Sequence, residues 1–196
     1  LFVPGSGSDE TLSIGGCYLL NAASETNKPL RSLYLGYNIN DDRLDFEKLS
    51  KAFSIKEEVE TSYVADLLAS GDIVARVSGR CEFGARALGN RSILADPSKP
   101  GAVKKINEAI KNRDFWMPFA LSILADKADL YVNNKKGIPA QFMSIAFDTF
   151  PGRYKDILAG THPYDFTVRP QYVHLDTNSD YYDLIHEFEL RTGIPA

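Results

Sequence analysis

Apolar positions along the chain fall into short blocks of two periods. From Asp45 to Phe53 and from Ser62 to Ala69 they recur at helical spacing, which predicts two amphipathic helices, the second closed by Ser70-Gly71. The run IVARV, Ile73 to Val77, follows at once and reads as a buried strand, so helix and strand share a layer. Pro100 to Ile110 sets Val103, Ile106 and Ile110 on one helical face. Ala120 to Leu124 and Met143 to Phe147 read as strands, and SLYLGYNI, residues 32–39, as a short one. Tyr181 to Arg191 predicts the last helix, ended by Gly193 and Pro195. At the other end the loop PGSGSDE runs into LSIGGCYLLNAA, whose small and apolar residues suit a closely packed helix. Asn27 to Leu30 makes a polar connection after it.

Composition narrows the class. With 196 residues, 44% of them hydrophobic, the chain can bury one core, or one core with an appendage. Its longest apolar runs fall far short of the roughly 20 residues of a membrane span, and no signal-peptide pattern is present, so a cytoplasmic location is expected. Cys17 and Cys81 lie far apart, without metal-ligand spacing. A formal net charge of −4 argues against a surface built mainly to hold a nucleic-acid backbone, but leaves room for a local basic cleft.

One stretch stands out against that acidic balance. GRCEFGARALGNRSILADP, residues 79–97, places Arg80, Arg86 and Arg91 in a glycine-punctuated run directly after a strand. Glycine turns can expose backbone amides, and the planar arginine fork binds phosphate or carboxylate through paired hydrogen bonds. The stretch matches neither common nucleotide motif. Spacing alone therefore leaves two readings open: a phosphate cradle, or arginines on a solvated loop paired with Glu82 and Asp96.

The same stretch resembles the signature of the O-carbamoyltransferases that act on nodulation factors, cephamycins and tobramycin-type aminoglycosides. INEAIKNRDFWMPFALSIL and THPYDFTVRPQYV resemble two further motifs of that family in the same order, and PGSGSDETLSIGGCYLL resembles the end of its actin-like domain. The resemblance implies an α/β fold. Residues 38–196 would form a YrdC-like open twisted sheet flanked by helices, truncated at its C-terminal part. Residues 1–37 would be a short remnant of the actin-like domain with its linker. The YrdC-like part would make carbamoyl-adenylate from carbamoyl phosphate and ATP with Mg2+, and the actin-like part would pass the carbamoyl group to a hydroxyl-bearing small molecule.

By the same resemblance Arg86, Lys111 and Arg169 hold the reacting anions, and Asn90, Arg91, Ser92, Arg113 and Thr167 act as further donors or orienting groups. Without it, Lys111 and Arg113 read equally well as surface charge at a helix end. Met117 stands where the family commonly has an arginine before Pro-Phe-Ala, so one anion contact is missing or comes from elsewhere. The Asn-Thr-Ser-Phe-Asn run that follows Thr-Gly in the family does not follow TGIPA here, and the nucleotide site is expected to be incomplete.

Asp9 matches a family aspartate that ligates iron together with two histidines upstream of this chain, so no occupied metal site is expected here. His162, His174 and His186 have no partner spacing. The tyrosines crowded into the last third read as core, with stacking on a base as the alternative. A nucleic-acid-binding YrdC-like module without catalysis is the competing function; the acidic balance disfavours it. The N-terminal helix, lacking its own domain, should present an orphaned apolar face around Leu12, Ile14 and Leu19, which invites a homodimer.

Overall fold

The computed structural model describes residues 3–22, 30–39, 44–114 and 116–196. The connection expected over Asn27 to Leu30 lies outside them except for Leu30. The elements in order are α1 (Thr11–Leu20), α2 (Phe46–Ser50), α3 (Thr61–Ala69), β1 (Val74–Val77), β2 (Arg91–Leu94), α4 (Pro100–Ile106), β3 (Leu121–Leu124), β4 (Pro170–Val173) and α5 (Ser179–Thr192). A π-helical turn, Asn107–Lys111, continues α4, and 3-10 turns lie at Ala128–Leu130 and Tyr154–Gly160.

Helix α5 shows why these residues fold as they do. Asn178 caps its start, the side chain accepting from Tyr181 N at 3.2 Å, and Gly193 ends it in the left-handed region with φ 74°. Tyr181, Leu184, Ile185 and Phe188 form its buried stripe, which packs on Ala65 and Leu68 of α3 and on Leu124 and Val173 at the ends of β3 and β4. A second cluster surrounds Leu121 and Ile123 of β3 with Tyr131, Val132, Ile157 and Val168.

The helices and strands of an α/β protein are present, but the sheet is not one open sheet. β1 pairs antiparallel with β2, with Arg76 opposite Ser92, and β3 pairs parallel with β4, with Leu121 opposite Pro170. No ladder joins β2 to β3. The edge of β3 away from β4 instead receives the last residues of the chain, Leu124 N donating to Pro195 O at 2.9 Å.

Two expected strands are also reduced to isolated bridges. Met143 has φ 55°, which breaks extended geometry, so of Met143–Phe147 only Phe147 bridges, to Val168. Residues 32–39 run beside 79–83, but Gly36 donates to Cys81 O while Cys81 donates to Tyr37 O. Two residues thus oppose one and the ladder fails, leaving the bridge Asn38 to Arg80.

Helix α1 forms where expected and buries none of its residues. Leu12, Leu19 and Leu20 are 72%, 77% and 87% exposed, while Ile14 is half-buried, so the three leucines lie open to solvent.

Gly89 holds φ 109°, and a β-carbon there would overlap the buried Tyr181 ring. Gly89→Ala is expected to cost roughly 2–5 kcal/mol, strain and overpacking together, as read by chemical denaturation. A loss under about 1 kcal/mol would show that the loop and α5 are not locked together.

Candidate functional site

The gap between the two strand pairs is a cleft of about 600 Å3, with Ser92, Ile93 and Leu94 of β2 on one wall and Leu121 and Ser122 of β3 on the other. Among the described residues six cations line it: Arg76, Arg86, Arg91, Lys111, Arg113 and Arg169. Asp96 is the one lining carboxylate side chain among them, and its Oδ1 accepts from Ser98 N and Oγ at 2.8 and 2.6 Å. The cleft is positive although the chain as a whole is acidic, and low-dielectric walls strengthen the resulting field.

The loop of residues 78–91 is built before it can bind anything. Glu82 Oε1 accepts from the backbone N of Leu88, Asn90 and Arg91 at 2.9, 2.7 and 3.1 Å. Three amides of the loop that could have faced an outside anion are therefore taken by the loop's own carboxylate. The carbonyl of Leu88 is held in turn by Tyr34 Oη at 2.6 Å and Gln171 Nε2 at 2.7 Å.

The arginines of the stretch divide sharply. Arg80 donates from Nε and Nη2 to the carbonyls of Gly36 and Leu35, both at 2.8 Å, and ties the loop to the preceding segment. Arg91 donates to the carbonyls of Ser78, Asn90 and Gly79 and to Cys81 Sγ, so its fork clamps the loop although the residue lines the cleft. Arg86, at the exposed loop tip, makes no side-chain hydrogen bond or ion pair among the described residues. Neither Glu82 nor Asp96 forms an ion pair with any of the three.

The other expected residues can be placed as plainly. Lys111 ends the π turn, and Asn112 follows in the left-handed region with φ 45°. The helix expected through Ile110 thus gives way at Ile106, and the widened turn sets Lys111 at the cleft. Arg113 lines the cleft with its guanidinium 5.5 Å from the Phe119 ring centre. Arg169, half-buried, stands just before β4. Lys111, Arg113 and Arg169, like Arg86, have no hydrogen-bonding or ionic side-chain partner among the described residues.

Ser92 Oγ lines the cleft while accepting from Gly89 N at 3.0 Å. Two expected residues stand apart. Asn90 is buried, donating to Arg80 O and accepting from Asn178 Nδ2, both at 2.9 Å, and so links the loop to the cap of α5. Thr167 donates from N and Oγ1 to Asp165 Oδ1 at 3.0 and 2.8 Å, and these bonds hold the Asp165 carboxyl below its usual range. Met117 is exposed and outside the lining, which resumes at Pro118. Asp9 is exposed, and no group of three His, Cys, Asp or Glu side chains able to hold a metal occurs among the described residues.

Sequence reasoning missed Arg76 and misjudged Glu82. Arg76 carried a signal, a charge at an inward position of an otherwise apolar strand. Glu82 carried none, since its acceptor role depends on how the loop turns back. Of the tyrosines, Tyr181 is core, and burial pushes its hydroxyl up to about 12, whereas Tyr164 is 87% exposed.

Residues 65–196 match the family described as carbamoyltransferase C-terminus. The chain belongs to the carbamoyltransferase family. Relatives of this carbamoyltransferase segment include an uncharacterized protein of Methanocaldococcus jannaschii, 36% identical over 174 residues, covering 85% of this chain and 28% of that protein. Nodulation protein NolNO of Sinorhizobium fredii is 32% identical over 206 residues, covering 100% of this chain and 30% of the relative. Nodulation protein U of Rhizobium tropici is 32% identical over 197 residues, covering 100% and 32%. The chain thus spans about a third of the length of these relatives. No helix among the described residues is long and apolar enough to cross a membrane.

Glu82→Gln keeps the shape but weakens three charge-assisted bonds. It should cost roughly 1–3 kcal/mol and speed hydrogen exchange at the amides of Leu88, Asn90 and Arg91. Unchanged exchange at all three would remove Glu82 as the organiser of the loop.

Proposed function

We propose that this chain forms the adenylating part of a carbamoyltransferase. In this reading its cleft binds carbamoyl phosphate and ATP and yields carbamoyl-adenylate, from which an actin-like part passes the carbamoyl group to a hydroxyl acceptor. The observation that carries the reading is electrostatic. Arg86, Lys111 with Arg113, and Arg169 come from three separate segments to one cleft, and no side chain among the described residues neutralises them. Membership of the carbamoyltransferase family supplies the chemistry that would use such a site.

Two phosphorylated substrates bring several negative charges together, and fixed donors lower that cost without reorganising during the reaction. The products that balance are carbamoyl-adenylate, pyrophosphate and inorganic phosphate, with one water consumed. Arg86 and Arg169 can each present a fork to phosphate oxygens, and Lys111 a point charge. Arg91, Asn90 and Ser92 serve by holding the loop that carries Arg86. Arg113 adds charge at the rim, and Thr167 shapes the turn leading into Arg169.

Mg2+ would enter with ATP, because among the described residues the lining offers one carboxylate side chain, Asp96, and its Oδ1 is bonded to Ser98. The single exposed carboxylate of Asp9 does not make an iron site with the described residues, and no step is assigned to it.

The reading is tested by carbamoyl-phosphate-dependent exchange between ATP and pyrophosphate on the whole protein. Arg86→Ala and Arg169→Ala should each lower exchange by at least about a hundredfold, since a preorganised donor contributes roughly 3–4 kcal/mol at the transition state. Lysine at either position should recover little, because it restores charge without the fork. Exchange retained in both alanine variants, with salt-dependent RNA affinity lost instead, would replace this reading with nucleic-acid binding.

A further inference from the structure

We infer that Arg76 is an additional oxyanion-binding residue, set in the inner wall of the same cleft and contributing a fork from β1. The inference rests on the reading of the cleft as an anion site and goes beyond it by adding a residue that none of the matched motifs contains.

Arg76 breaks the local pattern of its strand. It shares a face of β1 with Val74, and the register sets Ser92 opposite Arg76 and Leu94 opposite Val74. That face turns toward the core around Tyr181, where Val74 and Leu94 pack. Position 76 therefore calls for an apolar side chain and holds a permanent cation. Such violations are retained where a function requires them.

The surroundings leave the cation unanswered. Nε and Nη2 of Arg76 are both shut off from water, and neither has a hydrogen-bond partner. Arg76 forms no ion pair, and its one recorded contact of this kind is with the Tyr181 ring, whose centre lies 5.7 Å from the guanidinium carbon. A ring can attract the charge but does not accept in-plane N–H bonds. Glu82 has its Oε1 committed to three amides, and Asp96 has its Oδ1 committed to Ser98. The Tyr181 hydroxyl, raised to about 12 by burial, stays protonated and adds no counter-charge. Enclosed guanidinium donors without acceptors are costly, and because Arg76 lines the cleft, a turn of its guanidinium toward an oxyanion entering there would supply the missing acceptors. Arg76 thereby adds, from β1, a cation that Met117 does not provide.

The test uses pyrophosphate as the probe, with calorimetric titration and thermal unfolding of the whole protein and of Arg76→Met, Arg76→Lys and Arg86→Ala. Methionine replaces the guanidinium with an apolar chain. Arg76→Met should bind pyrophosphate at least about tenfold more weakly, the loss of one charged hydrogen bond, while its ligand-free melting temperature stays level or rises. Arg76→Lys should recover only part of the affinity.

If Arg76→Met binds within twofold of the parent while Arg86→Ala is weakened, the role of Arg76 fails and the cleft reading stands. If Arg76→Met lowers the ligand-free melting temperature, the guanidinium serves the fold and the inference is overturned. If the parent protein does not bind pyrophosphate at all, both fall together.

Discussion

One carboxylate oxygen organises this structure. Glu82 Oε1 gathers the amides of Leu88, Asn90 and Arg91, and this closes a glycine-rich segment that would otherwise be free to sample many turns. Asn90, once positioned, reaches Asn178 at the cap of α5, while the carbonyl of Leu88 receives Gln171 from β4. The loop is thereby tied to the long helix and to the β3–β4 pair, and Arg86 is carried at its tip on a braced support. Removing the carboxylate would release amides and ties together, which is why its effect should exceed that of any single contact.

The second constraint is charge. A protein of net charge −4 faces no general shortage of carboxylates, yet among the described residues its cleft is lined by six cations and one carboxylate side chain, an oxygen of which is bonded to Ser98. Exposed cations such as Arg86, Lys111 and Arg113 are held near one another at the cost of mutual repulsion, softened by water. Arg76 has two donors out of water's reach, and its cost is not softened in that way. A multiply charged anion in the cleft would relieve the exposed set, and would relieve Arg76 once its guanidinium turned toward it. The apolar clusters on α3, α5 and the two strand pairs explain how the arrangement persists without the ligand, since they keep the walls in place independently of it.

Much of this was legible in the residues. The stripe of α5, its Gly193 stop, α3 and the β1, β3 pattern follow from periodicity and turn chemistry, and the structure places them within a residue or two of where they were read. Arg86, Lys111 and Arg169 were found through motifs, and all three reach the same cleft. What was not legible depends on groups far apart in the chain. Arg80 and Arg91 resemble ligand arginines in sequence, but the fork of Arg80 meets carbonyls of residues 35 and 36, which lie beside the loop, and that of Arg91 meets carbonyls at 78 and 79, which the loop's own return brings to it. The split into two strand pairs was not legible because β2 and β4 lie inside the arginine-bearing motifs, where RSIL and PQYV are too short to show a strand period of their own. The failure of Met143–Phe147 as a strand turns on one left-handed residue, which an apolar run does not announce.

The central claim is that the unpaired cations of the cleft exist to hold a small, multiply charged anion. The most direct measurement is a crystal structure of the whole protein with an ATP analogue bridged by methylene between its α and β phosphorus atoms. The account predicts phosphate oxygens within hydrogen-bonding reach of Arg86, Lys111 and Arg169. Phosphates bound elsewhere on the molecule, with those three side chains left facing solvent, would contradict it.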